Sequence, residues 1–298
     1  MNSSVIEINY PHDSQNPQCL ITLPHASNGG DFFTNFPQIF QAFSGRTELL
    51  KKFLRLECDV GSQNLAHTVG QYLERDHQIS TRVLFYHHMH RGVVDPNRLP
   101  GHAIRPIIDY DLYPGLRLAL EAEHLEMIGQ VRECLARIPN LSQVIALDMH
   151  TMAPYTPAVN ASSTTEAVIL NPDNMDAYIR AFTDLRFRGA IRPIDILTSI
   201  PGSPPIGDPT LIHNLQKSFS DGGFASDVNN PYPLAPVLMS TEIVNQTRGV
   251  ALDVPKILVT QTDAHGETDL LNPEIDPKKV GVLGQIIAEA IAETIREK

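Results

Sequence analysis

Apolar residues along the chain collect in two kinds of segment. Short apolar or β-rich runs end at proline or at polar residues: 19–23 (CLITL, stopped by Pro24), 81–86 (TRVLFY) and 143–147 (QVIAL, ending at Asp148). These read as buried strands, as do 167–170, 194–197, 236–244 and 256–260. Longer stretches carry apolar residues at helical spacing. They are 47–56 (Leu49, Leu50, Phe53, Leu54), 61–75 (Leu65, Val69, Tyr72, Leu73), 173–185, 281–296 and, longest of all, 115–138. In the last, Leu118, Ala122, Leu125, Ile128 and Leu135 mark an apolar side, with Arg117, Glu121, Glu133 and Arg137 on a wet side in pairs four apart. Strands alternating with helices predict an α/β fold around a mostly parallel sheet. The Pro/Gly-rich stretch 200–209 and the segment 221–236 read as long surface loops.

The chain has 298 residues and is read as one domain spanning 1–298. Hydrophobic residues make up 42% and charged residues 19%, which excludes a disordered chain, a collagen and a coiled coil. The net charge of −11 argues against nucleic acid and anionic membrane as partners. No apolar run reaches the roughly 18 residues needed to span a bilayer, and the first residues lack the basic start and apolar centre of a signal peptide. Cys19, Cys58 and Cys134 are odd in number and widely spaced. They fit reduced thiols in a cytoplasmic protein better than a disulfide framework or a cysteine zinc site. With 12 histidines in the chain, a metal would be held by His, Asp and Glu.

In an open α/β sheet, ligands bind beyond the carboxyl ends of the strands, and polar residues follow several of these runs. His25 follows the first, and His87, His88, His90 and Arg91 the second. Asp148 and His150 follow the third. Glu242 lies in the run 236–244, and Asp263, His265 and Glu267 follow 256–260. Three such ligands with one open position make a catalytic zinc site. His25 and His150 are the first candidates, with Asp59 as the third ligand or as a helix cap beside Gly61. His87 and His88 point to opposite faces of a strand, whereas His88 and His90 share one. Arg91 and Arg98 flank a turn containing Asp95, Pro96 and Asn97. Two guanidinium forks there suit a carboxylate, unless Asp95 and Arg98 simply brace the loop. Nucleophile-elbow, P-loop and dinucleotide motifs are missing.

The ordered set Pro24-His25-Ala26-Ser27, Asp59-Val60-Gly61, Arg91-x-Val93-Val94-Asp95-x-Asn97-Arg98, Asp148-Met149-His150-Thr151 and Thr241-Glu242-Ile243 resembles the N-formylglutamate amidohydrolases, which are related to zinc carboxypeptidases. The resemblance spans roughly residues 20 to 245, and its most specific part is the arginine block. It implies a phosphorylase/hydrolase-like three-layer α/β/α sandwich and a Zn2+-dependent hydrolysis of an N-formyl or N-acyl amino acid. It makes His25, Asp59 and His150 metal ligands, with Glu57 as the alternative acid. It makes Arg91, Asn97 and Arg98 substrate-carboxylate binders and Glu242 the general base; Glu267 and His265 are the alternative on position alone, since 263–267 also follow a candidate strand. Three departures stand out: Ala26-Ser27 replaces the usual Ser-Gly, the histidine-rich run before Arg91 is not part of the family pattern, and Asn28 stands where a carboxypeptidase has its glutamate. Besides the amidohydrolase, the sequence allows a carboxypeptidase-like metallohydrolase or an inactive metal-containing carboxylate-binding protein.

Overall fold

The computed structural model describes residues 3–11, 16–157, 171, 173–184, 186 and 188–297. Its strands are β1 (Val5–Tyr10), β2 (Cys19–Leu23), β3 (Thr81–Tyr86), β4 (Ile145–Met152), β5 (Tyr155–Pro157), β6 (Arg188–Ile191), β7 (Ile194–Leu197), β8 (Ser226–Val228) and β9 (Arg248–Pro255). The helices are α1 (Phe32–Asn35), α2 (Gln38–Ala42), α3 (Thr47–Glu57), α4 (Ser62–His77), α5 (Pro114–Ala136), α6 (Met175–Thr183), α7 (Pro209–Asp221), α8 (Met239–Gln246) and α9 (Pro277–Arg296). Seven strands form one sheet in the order β1-β3-β2-β4-β9-β7-β8, and β5 pairs with β6 beside it. The central strands β3, β2, β4 and β9 are parallel, while β1 and β7 run antiparallel to β3 and β9.

Strands β2, β3 and β4 are buried along their whole length. That is why they read as apolar runs without alternation. Their side chains nevertheless alternate between two cores. Leu20, Leu84, Tyr86 and Ala146 face one core, shared with α3, α5 and α8. Ile21, Val83, Phe85, Ile145, Leu147 and Met149 face the other, shared with α4, α7 and α9. Helices therefore cover both faces of a mixed, mostly parallel sheet, the three-layer α/β/α arrangement expected.

Several elements differ from the reading of the sequence. The run 236–244 is not a strand: Met239–Gln246 is helix α8, whose Met239, Ile243 and Val244 are buried at helical spacing. Residues 256–258 form a single 3-10 turn, and the strand lies just before it as β9. Strand β4 does not stop at Asp148 but runs on through Met152. Helix α5 buries Leu116, Leu120, His124, Met127, Ile128, Val131 and Leu135, whereas Leu118 and Leu125 are 68% and 59% exposed. Apolar residues surround this helix, so periodicity could not choose its inner face. Helix α7 has a clear signal in retrospect, with Asp208 accepting from the backbone N–H groups of Thr210 and Leu211 ahead of buried Leu211, Leu215 and Phe219. The expected strand 167–170 lies outside the described residues. Among the described residues, no helix is long and apolar enough to cross a membrane.

Helices α4 and α9 approach closely through Gly284, where an added Cβ would lie 2.6 Å from Thr68 Cγ2. Three residues earlier, Gly281 has nothing within 4 Å of the same position. Gly281→Ala is therefore expected to raise stability by up to ~1 kcal/mol through helix propensity. Gly284→Leu should lower it by roughly 1–3 kcal/mol through overpacking. Urea midpoints of the two variants measure both shifts, and equal signs would contradict this packing.

Candidate metal centre

The carboxyl ends of β2, β3, β4 and β9 bring the polar residues together. His25 follows β2 by two residues, and its carbonyl accepts the Asp59 backbone N–H at 3.1 Å, which pins the exit of α3 to it. The chain then turns into α4 at Gly61, whose φ of 93° favours glycine and whose Cβ would meet Val259 Cγ2 at 2.6 Å. Asp148 and His150 alternate with Met149 in β4, so both point to the same face.

His25, Asp59 and His150 are all buried and converge. His150 Nδ1 lies 3.1 Å from both His25 Nδ1 and Asp59 Oδ2, and His25 Nδ1 lies 3.5 Å from Asp59 Oδ2. A tetrahedral zinc with bonds of roughly 2.0–2.1 Å needs donors about 3.3 Å apart. The triangle therefore fits such an ion. The outer nitrogen of each imidazole is also claimed. His25 Nε2 meets Asp95 Oδ1 at 2.7 Å and His150 Nε2 meets Asp148 Oδ2 at 2.8 Å. Carboxylates in this position turn each ring so that Nδ1 faces the ion. Burial alone would raise the Asp59 pKa. Hydrogen bonding with His150 and His25, together with the Arg91 charge, outweighs burial and holds it well below the ordinary range. Burial likewise works against a charged His150, but Asp148 and Asp59 prevail and raise its pKa. The site concentrates negative charge where a cation fits.

Glu57, the alternative acid, faces elsewhere: Tyr178 donates to its Oε1 at 2.5 Å, and Arg91 and Arg105 approach its Oε2. Arg91 is near the centre but turned inward, donating from Nη1 to Asp59 Oδ1 at 3.2 Å. It braces the ligand carboxylate instead of standing open to a substrate as expected. Arg98 donates through Nε to Asp95 Oδ2 at 3.1 Å. The same loop lets the Asn97 backbone N–H donate to Asp95 Oδ1 at 3.0 Å, and Asn97 Nδ2 lies 3.4 Å from His150 Nε2.

Glu242 is not brought to this centre. It sits on α8 two residues after Ser240, about 200° round the helix. Ser240 faces Asn97 and Asp148, while both Glu242 oxygens are taken by Arg132 of α5, at 2.6 and 3.2 Å. Reading 236–244 as a strand hid this, because alternation would have set residues 240 and 242 on one face. Glu267 accepts from the Tyr155 hydroxyl at 2.9 Å. Of the histidine-rich run, His90 is buried, accepts the Gly92 N–H at Nδ1 and is pushed down to about 4, chiefly by burial. It is a neutral structural residue, and His88 pairs with Glu123 at 3.3 Å.

Two residues were missed. Asp253 of β9 stands beside His150 of β4 in parallel register, so its carboxylate faces the same side of the sheet. It is partly exposed, and burial and Asp59 raise its pKa against the pull of His150 and Arg91. Its signal was an acid interrupting the apolar stretch Val250–Val254. Lys256 is buried, donates from Nζ to the Leu56 carbonyl at 2.8 Å and places its charge near Asp59 and Glu57.

Neither a family model nor a curated protein matches the sequence. Solved structures do match in fold. An N-formylglutamate amidohydrolase from Ralstonia eutropha JMP134 aligns at 13% identity over 98% of both chains, with a TM-score of 0.54. The gene product Atu2144 of Agrobacterium tumefaciens aligns at 14% identity over 99% of this chain and 96% of its own, with a TM-score of 0.57. At these identities the likeness is one of fold, an α/β fold shared along nearly the whole chain.

The geometry generates a graded expectation. His25→Ala, His150→Ala and Asp59→Ala should each abolish stoichiometric zinc binding. Asp95→Asn and Asp148→Asn should retain the ion with roughly 10–100-fold weaker affinity. Competition against a chelator of known affinity measures both effects. Wild-type affinity in the His25 and His150 variants would refute the ligand triangle.

Proposed function

We propose that the protein is a zinc-dependent hydrolase that cleaves the amide bond of an N-formyl or N-acyl amino acid, with N-formylglutamate as the leading substrate. One observation carries this reading: a three-donor triangle lies beside an arginine and a half-buried carboxylate, at the carboxyl edge of one sheet. The motif resemblance and the shared fold support it. His25, Asp59 and His150 would hold the ion. When bound, it supplies a Lewis acid for the amide carbonyl and acidifies water.

The remaining roles belong to side chains. Arg98 keeps its fork toward the substrate's free carboxylate, since Nε alone is committed to Asp95. A fork selects a planar carboxylate over an amide. Asp253 acts as the general base. Its raised pKa suits a group that takes a proton from water at an Oδ atom and returns it to the departing amine nitrogen. Arg91 and Lys256 keep Asp59 ionised in a buried setting. Burial of the site keeps bulk water from screening these charges.

Formate release from N-formyl-L-glutamate tests the assignment. Asp253→Asn should lower kcat by roughly 10²–10⁴-fold with zinc retained. Glu242→Gln should turn over like the wild type, since its partly exposed pair with Arg132 contributes at most about 1 kcal/mol to stability. Arg98→Lys should raise KM about tenfold or more, as expected for the loss of a charge-assisted fork worth roughly 1.5–3 kcal/mol. A dead Glu242→Gln beside an active Asp253→Asn would sink the base assignment. Release of a C-terminal residue from peptides, with formylated amino acids untouched, would make the protein a carboxypeptidase instead.

A further inference from the structure

Helix α8 meets the centre through one side chain that the roles above leave unused. Ser240 is buried. Its backbone N–H donates to Asn97 Oδ1 at 2.9 Å, and its hydroxyl lies 2.8 Å from the same oxygen. The hydroxyl also contacts Asp148 Oδ2, the oxygen that holds His150 Nε2. A serine hydroxyl carries one proton, and both neighbours are acceptors. The proton belongs on the ionised Asp148, because a charged acceptor makes the stronger bond and the Asn97 oxygen already has the backbone N–H. The other Asp148 oxygen accepts from Thr22 Oγ1. The Asn97–Arg98 loop is tied to the start of α8 again by Met239 N–H to the Asn97 carbonyl at 2.6 Å, and to the segment just before the helix by Leu99 N–H to the Val237 carbonyl at 2.8 Å.

We propose that Ser240 is a positioning residue that makes the His150 metal ligand and the Asn97–Arg98 clamp one mechanical unit. Its hydroxyl fixes Asp148 and through it the His150 ring. Its backbone N–H fixes the Asn97 amide so that Nδ2, not Oδ1, faces His150. The two bonds leave from one residue, so displacing Ser240 loosens both the metal ligand and the clamp. Thr22 differs: it touches Asp148 from β2 and has no bond to the clamp loop among the described residues. The inference rests on the zinc and clamp roles assigned above.

The test uses two probes on the full chain: zinc in chelator competition, and glutarate binding to the zinc-saturated protein by calorimetry. Failure of the wild type to bind either probe would count against the proposed function itself. With both bound by the wild type, Ser240→Ala, which removes only the hydroxyl on Asp148, should weaken zinc by about tenfold or more and leave glutarate unchanged, whereas Ser240→Pro, which removes the hydroxyl and the backbone N–H in the first turn of the helix where proline is tolerated, should weaken both. Thr22→Val should weaken zinc alone, and Ser240→Thr, which keeps both the hydroxyl and the backbone N–H, should retain both affinities. If Ser240→Ala lacks a cooperative melt, Ser240→Cys takes its place with the same readouts, its thiol being only a weak donor. Wild-type zinc affinity in Ser240→Ala, or wild-type glutarate affinity in Ser240→Pro, overturns the proposal.

Discussion

The centre depends on one constraint: two imidazoles must present the same nitrogen, Nδ1, to a point they share with a carboxylate. An unrestrained imidazole ring can flip and offer either nitrogen. Here Asp95 and Asp148 occupy the Nε2 side of His25 and His150, so a flip would break a buried charged hydrogen bond in each case. Those carboxylates must in turn be held. Asp95 is fixed by Arg98 and the Asn97 backbone, and Asp148 by Thr22 and Ser240. The chain around the centre is largely the apparatus that keeps two acids in place.

Keeping them there raises an electrostatic problem that the fold answers with cations. Asp59, Asp95, Asp148, Glu57 and Asp253 lie close together, and unpaired buried carboxylates are costly. Arg91, Arg98, Arg105 and Lys256 stand among them. These cations pair with the carboxylates around the triangle, whose own donors are one carboxylate and two imidazoles, a set that suits a divalent ion. The same pairing explains Arg91. Its guanidinium is shared between Asp59 and Glu57. Arg98 differs: it holds Asp95 through Nε, its one hydrogen bond to a carboxylate among the described residues.

Much of this was legible in the residues. The runs CLITL and TRVLFY are the strands β2 and β3, and His25, Asp59 and His150, far apart in sequence, do converge. The ends of β2 and β3 are readable because their apolar runs stop at Pro24 and at His87, whereas β4 carries Asp148 and His150 within it and so outran its apolar run. The misreadings share one cause, which is that apolar content alone does not give period. The segment around Glu242 has apolar residues compatible with either strand or helix. Only packing against β4 and β9 makes it helical, and this moves Glu242 away from the face that Ser240 occupies. Helix α5 misled in the same way, because its outward Leu118 and Leu125 look like a core stripe. Strand β9 was overlooked because Asp253 interrupts it.

That interruption carries the larger lesson about how such a site is built. A central parallel strand is flanked on both faces by helices, so a carboxylate inside it reaches solvent only near an end of the strand, and ligands sit at the carboxyl end. Asp253 sits two residues from the end of β9, level with His150 two residues from the end of β4. One residue further back, alternation would turn the acid to the opposite face, into the apolar core with Leu252. Two residues back, where Ala251 stands, it would keep the right face but be sealed against Val244 and Leu234. The position at 253 joins the correct face to partial exposure. Its raised pKa follows from the same placement, since the helix-covered sheet that aims it at the centre also strips away much of the water that would stabilise its charge.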